Sequence, residues 1–246
     1  MSHRTAVTTV TFYDLNKADM AVRADLALQT IKEGLERNCG VFVIDGGSTD
    51  EFVQRAKGLG ARVYAQEGRG ISLAQQQGIR RATNESNPDF YLLIEPEKAG
   101  LLGNYFDQIM APILDDSADI VLVGRTDESM HTMTKMQRLT ETKINSTLSG
   151  LLGLDADFCM APRIWTNGVN NYFTNYTPTK NWDLFHGPVI DAKNDGKRIV
   201  PVRIPFEYPR SMIAQEEGIE TYENKRINQL MEVVDFVRDY SAKTKK

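Results

Sequence analysis

The sequence predicts an α/β fold in which a mostly parallel β-sheet is flanked by helices. Short strands alternate with amphipathic helices from residue 6 to residue 123, which is the pattern of a parallel sheet covered on both faces. The strands are apolar throughout, as expected when both faces of a sheet are buried. Residues 41–50 read VFVIDGGSTD, which predicts a buried strand, a tight turn and the start of a helix.

The predicted elements follow one another without an internal repeat or a low-complexity linker. Strands are predicted at residues 6–12, 41–44, 61–65, 89–94, 120–123 and 198–204, and helices at 19–36, 51–57, 72–82, 102–114, 182–190 and 222–240. A further helix within 125–154 ends near residue 150, and Pro188 is expected to interrupt the helix that begins at Trp182. We therefore expect one domain over residues 1–246, divided into halves at 1–124 and 125–246.

Composition narrows the class of protein. Of the 246 residues 41% are hydrophobic and 25% are charged, which is typical of a globular protein with a real core. The net charge of −4 argues against broad nucleic-acid binding. Cys39 and Cys159 lie far apart, so neither a disulfide framework nor a cysteine metal site is indicated. No apolar run approaches the roughly 20 residues of a membrane span, and no signal peptide is evident. These features predict a cytoplasmic protein, and peripheral attachment to a membrane stays open.

Three polar loops follow successive predicted strands. The first contains Asp45, Gly46, Gly47 and Ser48, the second Gly68, Arg69 and Gly70, and the third Glu95 and Glu97 on either side of a proline. Because parallel strands place their carboxyl ends at one edge of a sheet, these loops are expected to be neighbours where ligands bind. The first loop supplies hydrogen-bond acceptors and helix-start amides, the second a cation suited to a diphosphate, and the third two carboxylates for one hard cation.

Three motifs resemble the family 2 glycosyltransferases of GT-A fold, including the polyprenyl-phosphate mannose synthase branch. They are VFVIDGGSTD at 41–50, GRGISLAQQQGIRRA at 68–82 and YLLIEPEK at 91–98, and residues 182–209 are similar to the late helix and strand of that family. The resemblance implies a nucleotide-binding half at 1–124, an acceptor half at 125–246, and a nucleoside-diphosphate sugar as the donor. It also implies that Asp45 contacts the nucleobase, that Ser48 lies near the nucleoside, and that Arg69 lies near the diphosphate.

The same resemblance implies a metal-assisted reaction. Glu95 and Glu97 stand where the family has an Asp-x-Asp motif, so they would hold Mg²⁺ or Mn²⁺ together with the diphosphate. His186 is a candidate for a further ligand from the second half of the chain. Glu-Pro-Glu in place of Asp-x-Asp, and Gly46 where many members have a second acid, are departures from the family pattern.

The acceptor side is less determined by the sequence. Asp155, Asp157 and Asp183 are candidate groups for deprotonating or orienting an acceptor hydroxyl, although caps of helices and turns are equally typical of such residues. The basic residues Arg125, Lys135, Arg138 and Lys143 fit either an acidic acceptor or a solvated helix face. The acceptor itself is left open among a small molecule, a glycan and a lipid phosphate, and the oligomeric state is left open too, a homo-oligomer included.

Three other functions compete with sugar transfer. A catalytically silent nucleotide-sugar-binding protein on the same fold would account for the unusual Glu-Pro-Glu. A sugar-phosphate nucleotidyltransferase is disfavoured, because such enzymes resemble one another in a glycine-rich signature after the first strand, where this chain reads TFYDLNKADM. In the third alternative the carboxylates are ordinary surface groups and no nucleotide binds.

Overall fold

The computed structural model of the chain describes residues 4–244. The strands of this part are β1 Thr5–Thr11, β2 Gly40–Asp45, β3 Arg62–Ala65, β4 Phe90–Leu93, β5 Ile120–Arg125, β6 Arg163–Thr166 and β7 Ile199–Ile204. Its helices are α1 Ala18–Glu36, α2 Asp50–Leu59, α3 Ile71–Ser86, α4 Leu101–Leu114, α5 Asp127–Met130, α6 Lys135–Leu152, α7 Asn170–Thr174, α8 Gly187–Asn194, α9 Arg210–Glu216 and α10 Glu220–Thr244.

The described strands form one sheet in the order β3-β2-β1-β4-β6-β5-β7. Strand β1 pairs in parallel with both β2 and β4, and β2 pairs in parallel with β3. Strand β6 runs antiparallel between β4 and β5, and β7 is again parallel to β5. The prediction of a mostly parallel sheet flanked by helices is confirmed. Since β1 lies between β2 and β4, the loops that follow these three strands are adjacent at one edge.

Alternate strand residues feed two cores on opposite faces of the sheet. On β2, Val41 and Val43 pack towards α1, α2 and α4, whereas Phe42 belongs to the core under α3 and α6. Helix α10 also packs on this second face, against α6. Each of these strand side chains is almost fully buried, so an apolar run without alternation is what this two-faced burial requires.

The predicted helix at 182–190 is wrong in its boundaries. A single 3₁₀ turn covers Asp183–Phe185, and α8 begins only at Gly187, so that Pro188 lies in the first turn of the helix. Proline is well tolerated there because its missing N–H would have no partner within the helix. Pro188 therefore starts α8 where the sequence analysis expected it to interrupt a helix. Gly187 is also required, since a Cβ at this position would lie 2.3 Å from the Tyr176 ring.

Among residues 4–244, no helix combines the length and the apolar character that a membrane span needs.

Candidate active site

The turn after β2 is organised by the Asp45 carboxylate. Its Oδ1 accepts hydrogen bonds from Thr11 Oγ1 at 2.9 Å and from Ser48 Oγ at 2.5 Å, and its Oδ2 accepts from the backbone N–H groups of Gly47 and Ser48. Gly47 has a φ of 107°, which favours glycine. The predicted contact between Asp45 and a nucleobase stays a prediction, and in this structure the carboxylate is used to shape the turn.

The turn after β2 is joined to the turn after β4 through Tyr13. The backbone N–H of Tyr13 donates to Ser48 Oγ at 2.8 Å, and its backbone oxygen accepts from Thr49 N–H at 2.9 Å. The Tyr13 hydroxyl donates to Glu97 Oε1 at 3.0 Å. Burial, followed by the charge of Glu97, raises the pKa of Tyr13 well above its usual value, so the hydroxyl keeps its proton and remains a donor.

The second predicted loop lies beside the first. The Gln66 backbone N–H donates to Asp45 O at 2.8 Å, and the Gln66 amide donates to the carbonyl of Gly68. A Cβ at Gly46 would lie 3.0 Å from Gln66 Oε1, so a larger residue here would require the Gln66 side chain to move. Phe12 is 57% exposed at the same edge, and sequence reasoning did not single it out.

Arg69 and Gly70 line a separate cavity of about 420 Å³ together with Ser72, Lys180, Asn181 and Glu232. Helix α3 begins directly after Gly70, and Ser72 Oγ donates to the carbonyl of Asn181 at 2.8 Å. Within residues 4–244, Arg69 forms no ion pair. Its charge is therefore available for an anionic ligand, and its predicted place near a diphosphate stays a prediction.

Glu95 and Glu97 follow β4 and line one cavity of about 80 Å³. Glu95 Oε2 lies 2.8 Å from Lys98 Nζ, and Glu97 Oε2 lies 3.6 Å from Arg23 Nη1. The glutamate side chains remain 30% and 24% exposed. Burial alone would raise the pKa of Glu95, but the charge and the hydrogen bond of Lys98 hold it below its usual value. Glu95 is therefore ionised near neutral pH.

His186 lines the same cavity and is buried. Burial, with a smaller contribution from the charge of Arg163, lowers the pKa of His186 to about 3, so the imidazole is neutral at physiological pH. Its Nδ1 atom has no hydrogen-bond partner within the described residues. A neutral imidazole with an unused ring nitrogen is a competent metal ligand.

The donor set of this cavity fits a divalent ion in kind. Carboxylate oxygens and a neutral imidazole are ligands that Mg²⁺ and Mn²⁺ accept, and Glu95, Glu97 and His186 all line the same cavity. The set is not drawn together, because each carboxylate faces an internal cation. In the described part of the chain, the three residues whose ligand atoms lie within 4.8 Å of one another are Glu141, Asp157 and Cys159.

The carboxylates of Glu141 and Asp157 are already paired with the guanidinium of Arg125. Arg125 Nη2 lies 2.5 Å from Glu141 Oε2, and Arg125 Nε lies 2.7 Å from Asp157 Oδ2. Burial alone would raise the pKa of Asp157, but Arg125 holds it well below its usual value. A Cβ at Gly124 would lie 2.6 Å from the Asp157 Cβ, so the acid is pressed against β5. These contacts make Asp157 a partner of Arg125, and they leave Arg125 without a free face for an acidic acceptor.

The other predicted acceptor-side acids lie elsewhere. Asp155 is 89% exposed, and both its oxygens lie 3.1 Å from Arg203 Nη2. Asp183 is buried, and its Oδ2 accepts from the Thr179 N–H, the Thr179 hydroxyl and the Lys180 N–H. Neither lines the cavity with Glu95 and Glu97. The structure thus does not bring Asp155, Asp157 and Asp183 together, and the role of any of them as a base stays a prediction.

A series of ion pairs that the sequence analysis missed lines the same cavity. Arg23 on α1 lies 2.5 Å from Glu216 on α9, and Glu216 lies 3.3 Å from Arg226 on α10. Arg226 also reaches Glu141 on α6, at 3.7 Å. No local motif marks these residues, because each comes from a different helix.

Comparison with known proteins identifies the family. Residues 22–163 match the model of the family described as glycosyl transferase family 2, which is more than half of the chain. The chain belongs to glycosyl transferase family 2. This family comprises nucleotide-sugar-dependent glycosyltransferases, so the sequence-based expectation of such an enzyme is confirmed. No curated protein sequence matches significantly.

Solved structures of this fold agree with that assignment. A crystal structure of glucosyl-3-phosphoglycerate synthase from Mycobacterium tuberculosis superposes with a TM-score of 0.67 at 14% identity, covering 96% of this chain and 80% of that one. The same enzyme in complex with Mn²⁺, UDP-glucose and phosphoglyceric acid gives a TM-score of 0.61 at 15% identity, covering 94% and 79%. These likenesses establish the GT-A fold. They do not confirm the polyprenyl-phosphate mannose synthase branch.

Proposed function

We propose that this family 2 glycosyltransferase moves a hexose from a UDP- or GDP-linked donor to an acceptor oxygen at the cavity of Glu95 and Glu97. The observation that carries the proposal is the acid pair itself, partly exposed at the carboxyl edge and joined through Tyr13 to the turn at Asp45–Ser48. Uridine is the first base to test, because the structurally similar synthase binds UDP-glucose with Mn²⁺.

Each residue of the site has a role in this proposal. Glu95, Glu97 and the neutral His186 would hold Mn²⁺ or Mg²⁺, and the ion would supply positive charge that offsets the negative charge developing on the leaving nucleoside diphosphate. The turn at Asp45–Ser48, whose own N–H groups are engaged by Asp45 and Thr11, would border the nucleoside, and Arg69 would supply a cation for phosphate oxygens. Tyr13 fixes the position of Glu97 relative to the turn at Asp45–Ser48, so the donor and the ion would be held in a defined relative position.

The acceptor is proposed only as a compound with a nucleophilic oxygen, which is a hydroxyl in a small molecule or glycan and a phosphate oxygen in a lipid phosphate. A small molecule, a glycan and a lipid phosphate all remain candidates, the last including the polyprenyl phosphates suggested by the sequence motifs. The phosphoglyceric acid of the similar synthase makes phosphorylated small molecules the first acceptors to test. The cytoplasmic location and a homo-oligomeric state also stay predictions from the sequence.

A thermal-shift screen tests the donor side. UDP, GDP, ADP and CDP are added to the purified protein with and without MnCl₂, alongside a Glu95→Gln/Glu97→Gln variant. A ligand at about 100 times its Kd adds roughly 2.7 kcal/mol of stability, which for a chain of this size corresponds to a rise in Tm of about 5–10 °C. We expect a rise that depends on both one base and the metal, and that the variant loses.

Transfer is then assayed with the sugar donors of the base that binds. The expected result is metal-dependent release of nucleoside diphosphate, accelerated by the correct acceptor. If no nucleoside diphosphate raises the Tm and no donor is consumed with any acceptor class, the proposed function is wrong.

A further inference from the structure

Both glutamates of the candidate metal site are already neutralised by the protein. Lys98 Nζ lies 2.8 Å from Glu95 Oε2, and Arg23 Nη1 lies 3.6 Å from Glu97 Oε2. A divalent ion that binds these carboxylates has to compete with a resident ammonium and a resident guanidinium. The two cations differ in what they lose when the ion arrives.

Arg23 can release Glu97 and remain paired. Its Nη2 lies 2.5 Å from Glu216 Oε1, and that carboxylate is itself held by Arg226 and by the Tyr208 hydroxyl. The stronger contact of Arg23 is thus with Glu216, while its longer contact with Glu97 is dispensable.

Lys98 has no such second partner. Its side chain is only 10% exposed, and within residues 4–244 it forms no ion pair except with Glu95. The nearest other favourable groups are the rings of Phe206 and Tyr208, whose centroids lie 5.9 and 6.0 Å from Nζ, at the outer limit of a cation–π contact. Taking Glu95 away from Lys98 therefore strands a nearly buried ammonium, which is strongly unfavourable.

A nucleoside diphosphate removes that penalty. Its phosphate oxygens would share one ion with Glu95, so they would come close to the ammonium that this carboxylate gives up. The diphosphate is an anion that can replace Glu95 as the partner of Lys98. Metal alone would leave Lys98 without its counter-ion, whereas metal with diphosphate would give the ammonium phosphate oxygens in place of Glu95.

We propose that Lys98 makes divalent-metal binding conditional on the donor, by occupying Glu95 until a diphosphate takes over its ammonium. The inference rests on the proposed function and identifies Lys98 as a positioning residue of the same site. Because coupling between two ligands is reciprocal, the metal must strengthen nucleotide binding by the same factor.

The test measures Mn²⁺ binding directly, through the electron paramagnetic resonance signal of free Mn²⁺, with and without the nucleoside diphosphate found in the thermal screen. Wild type is compared with Lys98→Met, with Lys98→Arg, which keeps the charge, and with Lys32→Met. Lys32 is the matched control, since it forms an exposed pair with Glu36 at 3.6 Å away from the cavity. Lys98→Gln replaces Lys98→Met if the latter does not fold.

We expect Lys98→Met to bind Mn²⁺ without nucleotide about tenfold more tightly than wild type, and the gain from adding nucleotide to shrink by the same factor, within the usual range of coupling. Lys98→Arg and Lys32→Met should behave as wild type. Unchanged or weaker binding of Mn²⁺ alone by Lys98→Met would overturn the inference, as would wild-type protein that binds Mn²⁺ equally well with and without nucleotide. Wild-type protein that binds neither ligand would instead remove the proposed function, and this inference with it.

Discussion

Two acidic groups lie near the carboxyl edge of the sheet, and they differ in what surrounds them. Glu95 and Glu97 line a cavity, are about a quarter to a third exposed, and each faces a different cation. Glu141 and Asp157 are almost completely buried, and they share the single guanidinium of Arg125. From the sequence, Glu95 and Glu97 were predicted metal ligands and Asp157 was a candidate base, whereas Glu141 was not singled out.

The difference shows that exposure and partner decide the role of an acid. Arg125 also lines the cavity, but its side chain is only 3% exposed and both carboxylates hold it through its fork of donors. Lys98 and Arg23 hold the cavity acids by one contact each, at positions that an anionic ligand can reach. We therefore expect the ion pairs of Arg125 to persist when a ligand binds, and those of Lys98 and Arg23 with the cavity acids to exchange.

The largest expected effect is on the buried group. Arg125→Met leaves Asp157 without its counter-ion and leaves Glu141 only the longer contact with Arg226 at 3.7 Å, so we expect a loss of about 3–5 kcal/mol in the free energy of unfolding. In wild type the lowered pKa of Asp157 contributes stability above the usual carboxyl pKa, and this contribution is lost as the pH falls. In the variant Asp157 has lost the charge that favours its ionised form, so the destabilisation grows as the pH rises above about 4.

Urea unfolding at pH 4.5 and pH 7.5 checks this prediction. The deficit of Arg125→Met relative to wild type should be larger at pH 7.5. Arg203→Met is the control, because it breaks an exposed pair with Asp155 and should cost less than about 1 kcal/mol at both pH values. An equal deficit at both pH values would mean that Arg125 acts by packing and not by charge.

The next effect is on activity in the cavity group. Glu97→Gln keeps a hydrogen-bond acceptor for Tyr13 but removes the negative charge, so we expect transfer to fall by about 10²-fold, as when one electrostatic group of an active site is removed. Because the side chain is partly exposed and Arg23 stays paired with Glu216, the free energy of unfolding should change by less than about 1 kcal/mol. Steady-state kinetics and urea unfolding measure the two quantities.

Glu36→Gln is a suitable control, since Glu36 is an exposed partner of Lys32. A Glu97→Gln variant with wild-type kinetics would place the reaction outside this cavity and erase the distinction between the two acidic groups.

The smallest effect is expected at Asp155. Asp155→Asn weakens an exposed pair with Arg203, so activity should stay within twofold and stability within about 1 kcal/mol. The kinetic pH profile supplies the check. A loss of activity with an altered pH profile and an unchanged Tm would instead establish Asp155 as the base that the sequence suggested.

Much of the fold follows from local pattern. The predicted strand at 41–44 corresponds to Gly40–Asp45, and the predicted helix at 19–36 corresponds to Ala18–Glu36, because apolar runs and helical spacing are properties of neighbouring residues. Pro188 was misread because a proline can either break a helix or start one. The outcome depends on where the preceding turn ends.

The candidate site was predictable only in part. Glu95 and Glu97 were found because strand ends collect at one edge of a parallel sheet. Arg23 and Glu216 left no local signal, since they meet the cavity only through the packing of α1 and α9. Asp155, Asp157 and Asp183 are similar in sequence, yet one is exposed, one is paired with Arg125, and one supports a turn. These differences in burial and in partners arise from tertiary contacts, which the local sequence does not show.

The double attachment of Tyr13 also bears on redesign of this protein. Its backbone is fixed by Ser48 and Thr49, and its hydroxyl holds Glu97, so under the proposed function a change that reshapes residues 45–49 to accept a new base would also move a proposed metal ligand. Phe12 stands exposed at the same edge and takes no part in these hydrogen bonds, so it is the better first position for a change of donor. The preference for a donor and the rate of transfer could then be varied separately.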